Sequence, residues 1–346
     1  EELDTTEIVY GIESDLLEKE ALQMAEHLSV EQCVQMCTGA IRRGKDGTIG
    51  TAGITVPGAA AETSLVAVDE GIASITLADG PAGLRLNKFY DVVNGERKIQ
   101  DFIDSVEDGL FRISDEKQGE RYYQFCTAFP IGTVLAQSWD MEVLKNVGRA
   151  VAKELEIFQI TLWLAPGMNI HRNPLCGRNF EYYSEDPYLV AKQAGAMVRG
   201  IQSQHIAATV KHFALNNKET NRKDSNSRVS ERAARQIYLK TFERIVKEAK
   251  PWCIMSSYNI VNDYRASENH DLLEKLLRDE WGFEGVVMTD WWTFGEHCKE
   301  VNAGNDVKMA AGNPDNLLKA LEKGLLKRET MECSVKRLLG VLLKID

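Results

Sequence analysis

Six polar residues (Asp79, Arg178, Lys211, His212, Tyr258 and Asp290) stand at or soon after the end of an apolar run. The clearest case is Gly285-Val286-Val287-Met288-Thr289-Asp290-Trp291-Trp292. Its β-branched run has the composition of a strand buried on both faces, and it delivers a carboxylate followed by two indoles. In a barrel of parallel strands, the groups that do chemistry sit where strands end and loops begin. A carboxylate there can attack an anomeric carbon while the sugar ring packs on an aromatic face. Each residue alone also has an ordinary explanation. Asp290 can cap the next helix, and Asp79 can open an Asx-type turn at Gly80-Pro81. His212 can be a hydrogen-bonded core histidine, Lys211 an ion-pair partner and Tyr258 a core residue. Together on one rim, they would satisfy several hydroxyls and orient a nucleophile.

The elements that must position them follow a rhythm. Ile75–Ala78, Phe129–Leu135, Ile160–Ala165, Ile206–Val210, Cys253–Met255 and Gly285–Met288 read as strands, and Asn302–Met309 as a weaker one. Between them Met141–Phe158, Ser230–Ala249 and Asp271–Trp281 read as helices, and Asp186-Pro187 opens another with Asp as cap. Strands alternating with helices mean an α/β fold, here a (β/α)8 TIM-like barrel with an irregular or incomplete strand set. Residues 1–27 read as an acidic helical lead-in or linker, with Leu16, Leu17, Ala21 and Met24 on one face. Ser29 and Gln32 form a capping box for the next helix. Residues 28–346 make the barrel, and the charged stretch 88–123 is longer than an ordinary connection, so it reads as an inserted surface loop or lid.

Composition narrows the classes. The 346 residues can bury a large core, and 44% hydrophobic with 27% charged residues describes a globular protein. A net charge of −11 argues against a nucleic-acid or anionic-membrane surface. No apolar run is long enough to span a bilayer. Seven scattered cysteines without CxxC or zinc spacing suggest a reduced, cytoplasmic protein. A removed leader would leave secretion open, and the absent initiator Met suggests numbering that begins inside a longer product. No metal or other cofactor is called for.

The chain resembles glycoside hydrolase family 3, the β-glucosidase family. The resemblance rests on Asp79-Gly80-Pro81-Ala82-Gly83-Leu84-Arg85, Ala165-Pro166-Gly167-Met168-Asn169-Ile170-His171-Arg172 and Gly177-Arg178-Asn179-Phe180-Glu181-Tyr182-Tyr183-Ser184-Glu185-Asp186-Pro187. Lys211-His212-Phe213, Ser257-Tyr258-Asn259 and Val287-Met288-Thr289-Asp290-Trp291 follow in family order. It implies retaining release of terminal β-D-glucose, or a related sugar, from β-glucosides, with Asp290 as nucleophile. It implies that Asp79, Arg178, Lys211, His212 and Tyr258 hold the sugar, with Trp291 at the mouth and Arg85 and Met255 as neighbours.

One departure stands out. The family's acid/base Glu usually belongs to an α/β sandwich domain, and no Glu in this chain has a context that marks it. Val56-Pro57-Gly58-Ala59-Ala60-Ala61-Glu62-Thr63 resembles members in which the sandwich precedes the barrel, so a sandwich domain or chain is the implied partner. The N-acetylglucosaminidase variant is rejected, because Ala214-Leu215-Asn216-Asn217-Lys218 lacks its Gly-His-Gly pattern. Two rivals remain: a Schiff-base barrel enzyme using Lys211, and a sugar-binding barrel half inactive without its partner domain.

Overall fold

A computed structural model describes residues 14–39, 55–63, 65–98, 116–310 and 312–345. Its centre is a six-stranded sheet in the order β1-β2-β6-β7-β9-β12. These strands are β1 (Ala61–Thr63), β2 (Ile75–Ala78), β6 (Leu162–Trp163), β7 (Ala207–Phe213), β9 (Cys253–Ser256) and β12 (Val286–Thr289). All neighbours pair in parallel except β1, which runs antiparallel to β2. Beyond β12 the sheet continues as single bridges, Met288 to Val307 and Lys308 to Thr38. The weak strand expected over 302–309 is therefore two bridged residues, and the result is an irregular TIM-like barrel.

The sequence explains this layout. Strands β2, β7, β9 and β12 are buried along their whole length, as expected where both faces are covered. Alternate side chains go to different layers, because strand side chains repeat every two residues. Ile254 and Val287 pack in one cluster with Leu144, Val190, Ile245 and Leu273. Cys253, Met255, Val286 and Met288 join the other with Met36, Val335 and Leu338.

The longer helices among the described residues are α1 (Ser14–His27), α2 (Val30–Met36), α3 (Met141–Ile157), α4 (Pro187–Gln202), α5 (Lys240–Ala249), α6 (Asp271–Glu280, wound with π-type turns), α7 (His297–Asn302), α8 (Pro314–Glu322) and α9 (Arg328–Ile345). The Ser29–Gln32 capping box closes the start of α2, and Asp186 caps α4 with Pro187 at its first turn. Helix α1 packs on α9, and Ala21 and Ala25 belong to the same buried cluster as Leu338 and Leu342. The described part of the expected lead-in is thus joined to the barrel, whereas residues 1–13 lie outside the described residues.

Three expectations change. Phe129–Leu135 is not a strand: Gly132–Ala136 is a short helical turn with Val134 more than half exposed. Thr133 Oγ1 bonds the carbonyls of Asn179 at 2.8 Å and Tyr182 at 3.0 Å, which ties this turn to the site loop instead of to the sheet. Ser230–Ala249 is not one α-helix, because π-type turns over Ala234–Tyr238 precede α5. Within 88–123 the described residues form an antiparallel sheet of β3 (Phe89–Val93), β4 (Glu96–Lys98) and β5 (Glu120–Tyr123), where Arg121 meets Asp91 at 2.8 Å. Residues 99–115 of that stretch lie outside the described residues.

Candidate active site

Parallel neighbours bring the residues at their C-terminal ends to one rim, and here these are Asp79 after β2, Lys211 and His212 in β7, Tyr258 after β9 and Asp290 after β12. They line a cavity of about 230 Å³ with Arg85, Arg178, Met255 and Trp291, so all nine residues expected from the sequence meet in one place. That volume is below the ~300–1,000 Å³ of pockets for drug-sized ligands. A larger cavity of about 350 Å³ lies between α1, α6 and α9, far from the strand ends that carry the polar rim.

Asp79 is placed by a turn that only glycine permits. Gly80 has φ of +122°, and a Cβ there would lie 1.9 Å from the Gly83 carbonyl oxygen. The turn returns Arg85 to Asp79, with Nη2 donating to Oδ2 at 2.6 Å, while Lys211 Nζ donates to Oδ1 at 2.9 Å. Burial alone would raise the Asp79 pKa, but the Lys211 and Arg85 charges overcome it and bring it to about 2. Asp79 is therefore a fixed anion and a strong acceptor for hydroxyls. Lys211 is committed to this pair, which leaves its amine poorly suited to Schiff-base chemistry.

His212 is fully buried. Asn169 Oδ1 accepts from the His212 backbone N–H at 2.9 Å and lies 3.1 Å from Nδ1, so Nδ1 carries the proton. Nε2 is then an acceptor facing Asp290, 3.9 Å from Oδ2. Burial, followed by the charges of Arg178, Lys211 and Arg222, holds the imidazole well below its ordinary pKa. It is neutral and can receive a hydroxyl proton in a hydrogen bond.

Asp290 does not cap a helix. The helix after it, α7, begins at His297 with Glu296 at its cap position. Its Oδ1 accepts from the Trp291 backbone N–H at 2.7 Å, while Oδ2 is buried and carries no hydrogen bond. Burial pushes the carboxyl up from its ordinary pKa, and Arg178, the Trp291 N–H, Arg222 and Lys211 oppose that shift. Tyr258 is pushed the same way by burial and by the Asp290 charge. Asp290 Oδ2 therefore carries no hydrogen bond in a pocket that Arg178, Arg222 and Lys211 also line.

Arg178 is paired through Nε with the buried Glu181. Gly167 makes room, since a Cβ there would sit 2.8 Å from Glu181 Oε2. Glu181 thus orients the Arg178 guanidinium. Sequence reading missed Arg222, whose guanidinium lies 4.6 Å from the Tyr258 ring centre and lines the pocket, and also Phe180. The available signal was the long polar loop after β7, because long connections in compact domains tend to be functional. Among the described residues, no group of three or more His, Cys, Asp or Glu side chains is placed to hold a metal ion, and no helix is long and apolar enough to cross a membrane.

Residues 58–341 match the glycosyl hydrolase family 3 N-terminal domain. The chain belongs to glycosyl hydrolase family 3. It is 62% identical over 206 residues to β-glucosidase A of Butyrivibrio fibrisolvens, a match covering 60% of this chain and 25% of that protein. It is 40% identical over 258 residues to an exo-α-(1→6)-L-arabinopyranosidase of Bifidobacterium longum, covering 74% of this chain and 31% of the relative. The structure of β-glucosidase 3B from Thermotoga neapolitana in complex with glucose superposes with a TM-score of 0.78 at 38% identity, covering 95% of this chain and 42% of that one. The chain thus spans a quarter to less than half of the length of these proteins.

Proposed function

We propose that this chain is the sugar-binding and nucleophile-bearing part of a retaining β-glucosidase. The observation that carries the reading is Asp290 Oδ2, which is buried without a hydrogen bond among Arg178, Lys211 and Arg222. In its carboxylate form, which those cations favour against burial, Asp290 attacks the anomeric carbon, the bond to the aglycone oxygen breaks, and a glycosyl ester forms. Asp79, Lys211, the neutral His212, Arg178 and Tyr258 hold the hydroxyls, and Trp291 borders the leaving-group side. Residues 28–346 form the catalytic unit on this reading, with the stretch 88–123 inserted into it.

Retaining hydrolysis also needs a second carboxyl about 5–5.5 Å from the nucleophile, which protonates the leaving oxygen and then activates water. Among the described residues, the carboxyls lining the pocket besides Asp290 are Asp79 and Glu181. Asp79 is a doubly paired anion, and Glu181 is bound to Arg178. Neither is a ready proton donor, which favours an acid/base Glu supplied by a sandwich domain outside these residues. General acid catalysis contributes ~10²–10⁴-fold, and mostly for poor leaving groups. Alone, the chain should release dinitrophenol from an aryl β-glucoside yet be nearly inert on cellobiose, and addition of the sandwich domain should restore cellobiose cleavage. Cellobiose hydrolysis by the isolated chain at the full rate would place the acid/base within residues 1–346. Preference for an aryl α-L-arabinopyranoside over the glucoside would move the substrate towards that of the Bifidobacterium longum relative.

A further inference from the structure

The turn that follows β12 is gripped by two lysines. One is Lys308, which pairs with the fully buried Glu300 and donates to the Gly295 carbonyl at 2.7 Å. The other is Lys223, from the loop after β7, whose Nζ donates to the Trp292 carbonyl at 3.2 Å. Trp292 has φ of +55°, the left-handed region that a bulky side chain rarely adopts. Its N–H donates to the Met309 carbonyl at 2.9 Å, so that bond and the one from Lys223 hold it two residues after Asp290.

Lys223 is well placed for this work. Its ammonium lies 4.9 Å from the Phe294 ring centre, 5.2 Å from that of Tyr258 and 6.0 Å from that of Trp292, all within cation–π reach. Its backbone is held as well. Arg265, on β11 of a small sheet formed by β8 (Asn226–Ser227), β10 (Ile260–Val261) and β11 (Tyr264–Arg265), donates from Nη1 to the Lys223 carbonyl at 2.7 Å and to the Tyr258 carbonyl at 3.2 Å. Three segments of the rim (the loop after β7, the end of β9 and the turn after β12) therefore converge on one side chain.

We propose that Lys223 is a positioning residue for Asp290, acting through the Trp292 carbonyl and the Tyr258 ring rather than by touching the sugar. This rests on the reading of Asp290 as the nucleophile. Asp290 is already faced by Arg178, Arg222 and Lys211, by the neutral His212 and by Tyr258. Lys223 adds a further cation beside it, with Arg222 and Asp224 as its own charged neighbours. Losing that cation makes the proton on Asp290 easier to hold.

The test compares Lys223→Met, which keeps the length and apolar packing, with Lys223→Arg, which keeps the charge and a donor. The readout is the burst of dinitrophenolate from 2,4-dinitrophenyl β-D-glucoside, with the adduct on the parent protein located by mass spectrometry. Misplacing a reacting group by about 1 Å can cost ~10²-fold. Lys223→Met should therefore lower the burst rate ~10–100-fold at unchanged glucose affinity and shift the acid limb of the rate profile to higher pH. Lys223→Arg should stay within a few-fold of the parent. An unchanged burst and acid limb in Lys223→Met would overturn the proposal, as would a loss of glucose affinity in step with the rate, which would mark a direct sugar contact. A parent protein that forms no adduct at Asp290 would remove the nucleophile reading and this proposal together.

Discussion

Lys211 Nζ, in strand β7, and Asp79 Oδ1, just past the end of β2, meet at 2.9 Å across 132 residues of chain, and the two strands flank β6 in the sheet. The pair spans a parallel sheet at its C-terminal rim, so it reports at once on the register of the barrel and on the charge state of the pocket.

Asp79→Asn should break that pair and weaken the hydroxyl contacts. Hydrogen bonds to charged groups are worth roughly 1.5–3 kcal/mol, equivalent to about a 10- to 150-fold loss of kcat/KM on an aryl glucoside. The pair also has a pH signature. The Asp79 pKa is depressed from 3.8 to about 2 in the folded protein, so its contribution to stability is complete above about pH 4 and is lost as pH falls through about 2. Melting curves of the parent and of Asp79→Asn should differ at pH 6 and converge by about pH 2. Parallel curves over that range, with unchanged kcat/KM, would mean that the ion pair matters to neither.

A second ion pair lies under the turn that follows Asp290. Glu300 is fully buried, accepts from Thr293 Oγ1 at 2.6 Å and Ser267 Oγ at 2.8 Å, and is bound to Lys308. Removing one member of a buried pair strands the other charge and costs about 3–5 kcal/mol. Glu300→Ala should lose that much in urea denaturation, whereas Glu300→Leu combined with Lys308→Met should lose clearly less. Equal losses in the two variants would shift the weight from the stranded charge to packing.

Much of the fold was legible because burial on both faces leaves its mark on composition. The apolar runs ending in Asp79, Lys211-His212 and Asp290 could only be inner strands, and parallel pairing then forced their ends onto one rim. Phe129–Leu135 misled for a local reason. Its apolar residues serve a helical turn anchored to the carbonyls of Asn179 and Tyr182, and no run of residues in sequence reveals a partner 46 positions away. Strand β1 escaped notice because Ala61-Glu62-Thr63 is only three residues long with a single β-branched side chain, although its backbone pairs with Ile75–Leu77. Arg222 was missed because its role comes from stacking on Tyr258, 36 residues later in the chain and on a different element.

The most direct measurement is the identity of the residue that becomes glycosylated. A 2-deoxy-2-fluoro β-D-glucoside with a dinitrophenyl leaving group slows breakdown of the ester, so the intermediate should accumulate and be located by peptide mass spectrometry. Asp290 Oδ2 and Glu181 Oε2 are both buried carboxylate oxygens without a hydrogen bond in this pocket, but Glu181 is paired with Arg178 through its other oxygen, so Asp290 should carry the sugar. Asp290→Ala should fold normally, show no adduct and lose several orders of magnitude in turnover, since no ester can form. An adduct on Asp79, Glu181 or any other carboxylate, or near-parent turnover in Asp290→Ala, would contradict the assignment.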